Sequence, residues 1–346
     1  MKNDLLSNFG LTVEQTQILF SLQHQLVRED VNFTKVQNGL LINMQKRASV
    51  KKEWLDAWKL AIEKYLTALA KDGKSWRILP SSELAEAIKK EDEKSNNTVW
   101  KYLILLECCI FNAYYPLGGT KEELKESVKR YSDLKFEDTN KKSSLIEICD
   151  MLSIDSKYID IFIKRYKSAL SNLTGRWKKI LIGGIVGVIL VLIAIISFQY
   201  ELLGLFALEG LSGAALISSG LAALGGGAVA AGGFGVAGGI AVLVGGGGLL
   251  GLSVGGGVGL SIASSSSDIV MSEAAKMEVV LKEIVMAIQK DTVTFQNIIT
   301  QLLTEKESLK IELEQLKNQQ EENAKKIKEL EKSIKYLEKL LDQLYK

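Results

Sequence analysis

The chain has 346 residues, 47% of them apolar and 24% charged, with a formal net charge of +2. A single histidine, His24, argues against His-based triads and multi-histidine metal sites; three cysteines with no CxxC pair leave zinc ribbons and thioredoxin-like chemistry unsupported. Two prolines point to long uninterrupted helices, and 24 of the 30 glycines lie between Ile180 and Asp268. The small net charge averages three unlike pieces. Residues 1–179 carry 30 basic and 24 acidic side chains, the middle carries only Glu201 and Glu209, and residues 268–346 carry 13 basic and 15 acidic. This pattern divides the chain into a basic helical domain (1–172), a membrane region (173–267) and a coiled coil (268–346). The expected fold class is all-α.

The start, MKNDLLSNFG, has no apolar core of the kind a secretory signal needs, so none is expected. Cys108, Cys109 and Cys149, odd in number and all in the basic domain, fit a reducing compartment. Leu19, Leu22 and Leu26, and then Trp54, Trp58, Ile62, Tyr65, Leu66 and Leu69, recur at i, i+3/i+4, the spacing of amphipathic helices. Lys71–Lys74 reads as a stop, Pro80 opens the next helix, and Ser95–Asn97 precedes the apolar run Trp100–Tyr115. Pro116–Gly119 breaks the chain before a capping-box pattern at Thr120–Glu123, and Ser153–Asp155 starts a last helix from Tyr158 to about Leu170. Cys108 and Cys109 read as small buried hydrophobes, against a redox-sensing or acylated pair. His24 reads as a half-buried structural residue, and Trp76 and Trp100 as packing residues. No pair of carboxylates stands out as an acid/base dyad, no base-reading motif appears, and neither an enzyme nor a nucleic-acid binder is expected. No cofactor is expected. The helices of Trp100–Leu170, and the stretch SLIEICDMLSIDSKYIDIFI in particular, resemble TerB-type helical domains, a family linked to membrane-associated stress and defence functions. The acidic loop residues of that family are not matched, which puts its metal role in doubt.

Lys164, Arg165, Lys167, Arg176, Lys178 and Lys179 crowd sixteen residues without an acid, and Trp177 sits among them. Such a flank is expected to face anionic headgroups on the cytoplasmic side, each basic residue worth roughly 1 kcal/mol. Ile180–Phe198 follows, nineteen residues without a charge. As a helix it measures roughly 28 Å, close to the hydrocarbon thickness of a bilayer. A soluble core helix of that length normally keeps a polar edge.

Gly210–Ser267 adds 58 residues with no charged side chain, room for a hairpin of two spans. In water so many glycines oppose helix, whereas in lipid the cost of unpaired backbone groups enforces it. Gly247, Gly251, Gly255 and Gly259 recur every four residues, and Gly227, Gly235 and Gly239 fall on a similar stripe with Ala223 and Ala231. Small residues at that interval let helices approach backbone to backbone, the geometry of a glycine zipper. Gly233–Gly238 matches G-x-G-x-x-G without the strand or acidic residue that a dinucleotide site requires, and Gly73-Lys74-Ser75 lacks the glycine of a P-loop. The tract LISSGLAALGGGAVAAGGFGVAGGIAVLVGGGG resembles Gly/Ala-rich membrane tracts of bacterial proteins and the small interferon-induced membrane proteins of the ISG12 family, which implies membrane residence. The layout, an apolar hairpin between long helices, is similar to that of α-helical pore-forming toxins.

After Gly259 there is no Gly or Pro. Leu309, Leu313, Leu316, Gln320, Asn323, Ile327, Leu330, Ile334, Leu337, Leu341 and Leu344 alternate by four and three, the seam of a coiled coil. Gln320 and Asn323 either fix its register or mark a bend into a hairpin. Leu281, Ile284, Ile288, Phe295, Ile298 and Leu302 continue the pattern upstream, with a stutter near Lys306. One helix from Ser272 to Lys346 would be roughly 110 Å long. The seam serves either self-association or an intramolecular hairpin. The sequence therefore points to a multi-pass membrane protein with its N-terminus inside. Its partners would be the bilayer and further copies of itself, and its N-terminal helical domain could engage a protein partner. The function expected is oligomerisation that perturbs or permeabilises a membrane in stress or antiviral defence. The alternatives are a membrane-anchored scaffold and a soluble α-helical pore-forming toxin.

Overall fold

The structure, a computed structural model, describes residues 11–37, 42–70, 73–95, 97–114, 117, 121–174, 275–276, 278–317, 327, 331, 334–335 and 338–345. Helices and loops alone make up these residues, as an all-α chain requires. They fall into two compact units, one formed by Leu11–Lys164, the other by residues 165–174 and 275–345.

In the first unit, α1 (Val13–Gln37) opens on a capping box: the Gln15 N–H donates to Thr12 Oγ1 and the Thr12 N–H to Gln15 Oε1, both at 3.1 Å. Helix α1 packs on α2 (Ile42–Ala70), α3 (Ser81–Lys94), α4 (Val99–Ile110) and α6 (Asp138–Leu152), so it is covered from several sides. Its buried residues accordingly exceed one stripe, with Ile18, Leu19, Leu22, Leu26, Val27 and Val31 all excluded from solvent. Helix α2 contributes Trp54, Trp58, Ile62 and Leu66. Trp54 stacks on Trp58 with ring centroids 6.0 Å apart; Phe20 and Phe111 meet Trp58 at 6.1 and 5.9 Å.

Helix α2 ends at Ala70, immediately before the expected stop, and α3 starts directly after Pro80, whose fixed φ suits that position. Helix α4 is shorter than the apolar run that encodes it. It ends at Ile110, and residues 111–114 leave the helix, Tyr114 having φ 67°. Helix α5 (Lys121–Tyr131) follows. Helix α6 is closed by Ser153 in the left-handed conformation, the Ile154 N–H donating to Cys149 O at 2.9 Å and the Ser153 N–H to Asp150 O at 3.1 Å. Helix α7 (Lys157–Thr174) begins in the first unit and ends in the second.

The second unit departs from one long helix. A π-helical segment, Val280–Ile288, buries Val280, Leu281, Ile284 and Val285 and stops at a turn where Lys290 has φ 55°. There the Asp291 carboxylate accepts the Thr294 N–H at 2.9 Å and caps α8 (Thr292–Lys317); hydrogen bonding from the Thr294 side chain first, and its backbone second, holds the Asp291 pKa below the ordinary carboxylate range. Residues 338–344 are helical. In a straight helix, Glu338 would lie about 42 Å beyond Lys310. Instead the Lys310 ammonium pairs with the Glu338 carboxylate at 3.3 Å, and the Lys282 ammonium donates to Gln343 O at 2.5 Å. The last residues therefore meet both α8, at Lys310, and the π-helical segment, at Lys282.

Candidate functional site

The expected membrane and packing residues Gly227, Gly235, Gly239, Gly247, Gly251, Gly255 and Gly259 lie outside the described residues, as do Arg176, Trp177, Lys178 and Lys179. Lys164, Arg165 and Lys167 are exposed on α7. Arg165 donates to the mostly buried Glu283 at 2.8 Å. Of the expected seam, Leu313, Ile327, Ile334, Leu341 and Leu344 are buried, whereas Leu309, Leu316, Gln320, Asn323, Leu330 and Leu337 have side chains outside the described set. Among the described residues no helix is long and apolar enough to cross a membrane.

The most concentrated chemistry in the first unit lies away from the residues singled out by motif and spacing. Asp30 on α1 and Lys51 on α2 form an ion pair at 2.6 Å with both side chains 0% exposed. Asp30 Oδ2 also accepts the Tyr114 hydroxyl, and Asp30 Oδ1 accepts the Glu137 N–H at 2.9 Å. Lys51 makes a second bond, to Thr34 Oγ1 at 3.1 Å, and its ammonium lies 5.1 Å from the centre of the Tyr114 ring. Burial first, and the neighbouring Asp30 charge second, push the Tyr114 hydroxyl's pKa far above its ordinary range, so it remains a donor.

An isolated charge here would cost several kcal/mol, yet both carboxylate oxygens and the ammonium have partners. With these bonds fixed, the cluster joins α1, α2, the chain after α4 and the chain before α6 at one point. Its chemistry is that of a polar tie, and it leaves no free base or nucleophile on Asp30. The sequence does carry a sign of it. Asp30 and Thr34 continue the stripe of Leu22 and Leu26 at four-residue steps, and Lys51 precedes Trp54 and Trp58 by three and seven residues. A charge on an apolar stripe is the mark of such a tie.

The remaining candidates occupy protected positions. Cys108, Cys109 and Cys149 are free thiols and buried. Burial pushes the Cys108 thiol well up, Cys109 up to about 12 and Cys149 up to about 11, which suppresses thiolate chemistry. His24 is half-buried, and its imidazole is pushed down to about 4 by burial and then by the charges of Lys59 and Arg28. Trp100 is buried on α4, and Trp76 is partly exposed. Among the described residues no group of three or more His, Cys, Asp or Glu side chains is arranged to hold a metal ion. Comparison with protein-family models, with curated proteins and with solved structures gives no match.

Proposed function

We propose that this is a membrane protein that self-associates through its C-terminal heptad region and a glycine-zipper hairpin and thereby perturbs or permeabilises a bilayer, as an effector in stress or antiviral defence. One observation carries the reading: nineteen uncharged residues at 180–198 and 58 more at 210–267, the latter striped with glycine every four residues. Exposed Lys164 and Lys167, with the basic residues that follow, supply the electrostatic attraction to anionic headgroups. The test is fractionation of expressing cells together with dye release from vesicles containing anionic lipid. The protein is expected in the carbonate-resistant membrane pellet and is expected to release dye. A soluble protein that releases none overturns the reading. Gly251→Leu with Gly255→Leu should abolish both oligomers and release. A membrane-anchored scaffold is the second reading, favoured by the Lys310–Glu338 ion pair, which closes the C-terminal region of a copy on itself. Membrane pelleting without dye release selects it.

A further inference from the structure

The uncharged segments 180–198 and 210–267 separate two charged flanks of the chain, and residues of the two flanks meet. Ahead of the segments stands the end of α7, with Arg165 and Asn172; after them come the π-helical segment and the last helix. The Arg165 guanidinium donates to the Glu283 carboxylate at 2.8 Å, and the Asn172 side chain donates to the Gln343 side chain at 3.2 Å. The Lys282 ammonium donates to Gln343 O at 2.5 Å, so the two later pieces are joined as well. Ala169 and Leu170 of α7 are buried in the same compact unit as Leu281, Ile284 and Leu341. The polar rim keeps its water: Arg165 has 62% of its side chain exposed, and Asn172 is exposed too.

We propose that this junction holds in the membrane-bound chain and puts both flanks on one side of the bilayer. The C-terminal heptad region then shares a compartment with the N-terminal helical domain, from which α7 runs on unbroken. The proposal rests on the membrane residence in the reading above. A hydrocarbon core is roughly 30 Å thick, about ten times the separations at the junction. Flanks on opposite faces could meet only if one of them, charges included, were drawn into hydrocarbon, which its charged side chains oppose. The exposure of Arg165 and Asn172 gives the junction an aqueous setting instead. The basic residues supply an independent argument, because lysine and arginine beside a span are retained on the cytoplasmic side. Six stand at 164–179, and Lys276 and Lys282 follow the second segment, whereas residues 199–209 between the segments carry none. The number of crossings between Thr174 and Ala275 is then even, so 180–198 and a two-span hairpin at 210–267 are not all complete crossings. A partner bound to the N-terminal domain and the seam that assembles copies would thus act on one side, with no signal crossing the bilayer.

The test places reporters at both ends of the full-length chain. Green fluorescent protein, which matures in the cytoplasm, and alkaline phosphatase, which is active only after export, are fused in turn to each terminus in bacteria. Carbonate-washed membranes are then assayed. Fluorescence from both termini, with phosphatase activity at background for both, is expected. Fluorescence at one end and phosphatase activity at the other overturns the inference and leaves the membrane reading standing. Recovery of the fusions in the soluble fraction overturns the membrane reading, and this inference with it. The junction itself is checked in the same membranes by Asn172→Cys with Gln343→Cys in one chain and a short bis-maleimide, the wild-type chain controlling for its three buried cysteines. An adduct joining peptides of α7 and the last helix is expected by mass spectrometry. Its absence, while each cysteine alone still labels, overturns the junction.

Discussion

Lys51 and Asp30 meet at 2.6 Å with neither side chain exposed, whereas Lys310 and Glu338 meet at 3.3 Å with 41% and 46% of their side chains exposed. Both join residues of different helical segments, and it is their surroundings that differ. The first has exchanged water for protein partners, so its removal strands a charge in the interior. The second keeps its water, so breaking it costs little and re-forming it elsewhere gains as little. A buried pair fixes one geometry; an exposed pair contributes little to choosing one.

That contrast can be broken most forcefully at Lys51. Lys51→Met leaves Asp30 buried without its counter-ion and should cost about 3–5 kcal/mol. Urea denaturation followed by tryptophan fluorescence reports it, because Trp54, Trp58, Trp76 and Trp100 all belong to the first unit. A cost below about 1 kcal/mol would place Lys51 with the surface pairs. Tyr114→Phe removes one donor to the charged Asp30 and should cost about 1.5–3 kcal/mol by the same measurement.

His24 gives a pH-dependent comparison. Its folded value lies below its unfolded one, so the unfolded chain takes up the proton first. The stability it contributes is complete above about pH 6.5 and is lost as pH falls toward about 4. His24→Gln should therefore flatten the decline in urea midpoint between about pH 6.5 and 5, a window above the ordinary carboxylate titrations. An unchanged slope would show that His24 titrates normally. The smallest effect belongs to Lys310→Gln, at most about 1 kcal/mol and diminished further by salt. A larger cost would make the second unit as fixed as the first.

Local punctuation was legible in the sequence. The stop after Ala70, the start after Pro80 and the start of α7 after Ser153–Asp155 all follow from residues that act on their own backbone. The apolar stripes of α1 and α2 were equally direct, because periodicity reports the buried face without reference to what covers it. Asp30 and Lys51 carried only one sign, a charge on an apolar stripe, which went unread because a charged residue on a helix is ordinarily solvated and the further partners of Asp30 come from distant segments. Tyr114 was obscured for a related reason. An apolar run through Trp100–Tyr115 favours helix throughout, whereas the helix ends at Ile110. The break at Lys290 carried one readable sign, the capping Asp291 three residues before Thr294, but neither glycine nor proline announced it.

The three partners of Asp30 stand 21, 84 and 107 residues from it along the chain. Synthesis delivers Asp30 early and the Glu137 N–H last, so a nascent chain lacks part of its carboxylate cage until nearly the whole first unit has emerged. Pairings of this separation slow folding relative to purely local ones. A fragment ending before Glu137 should fail to acquire native tryptophan fluorescence however helical it becomes, because one buried charge withholds the core until the last donor arrives.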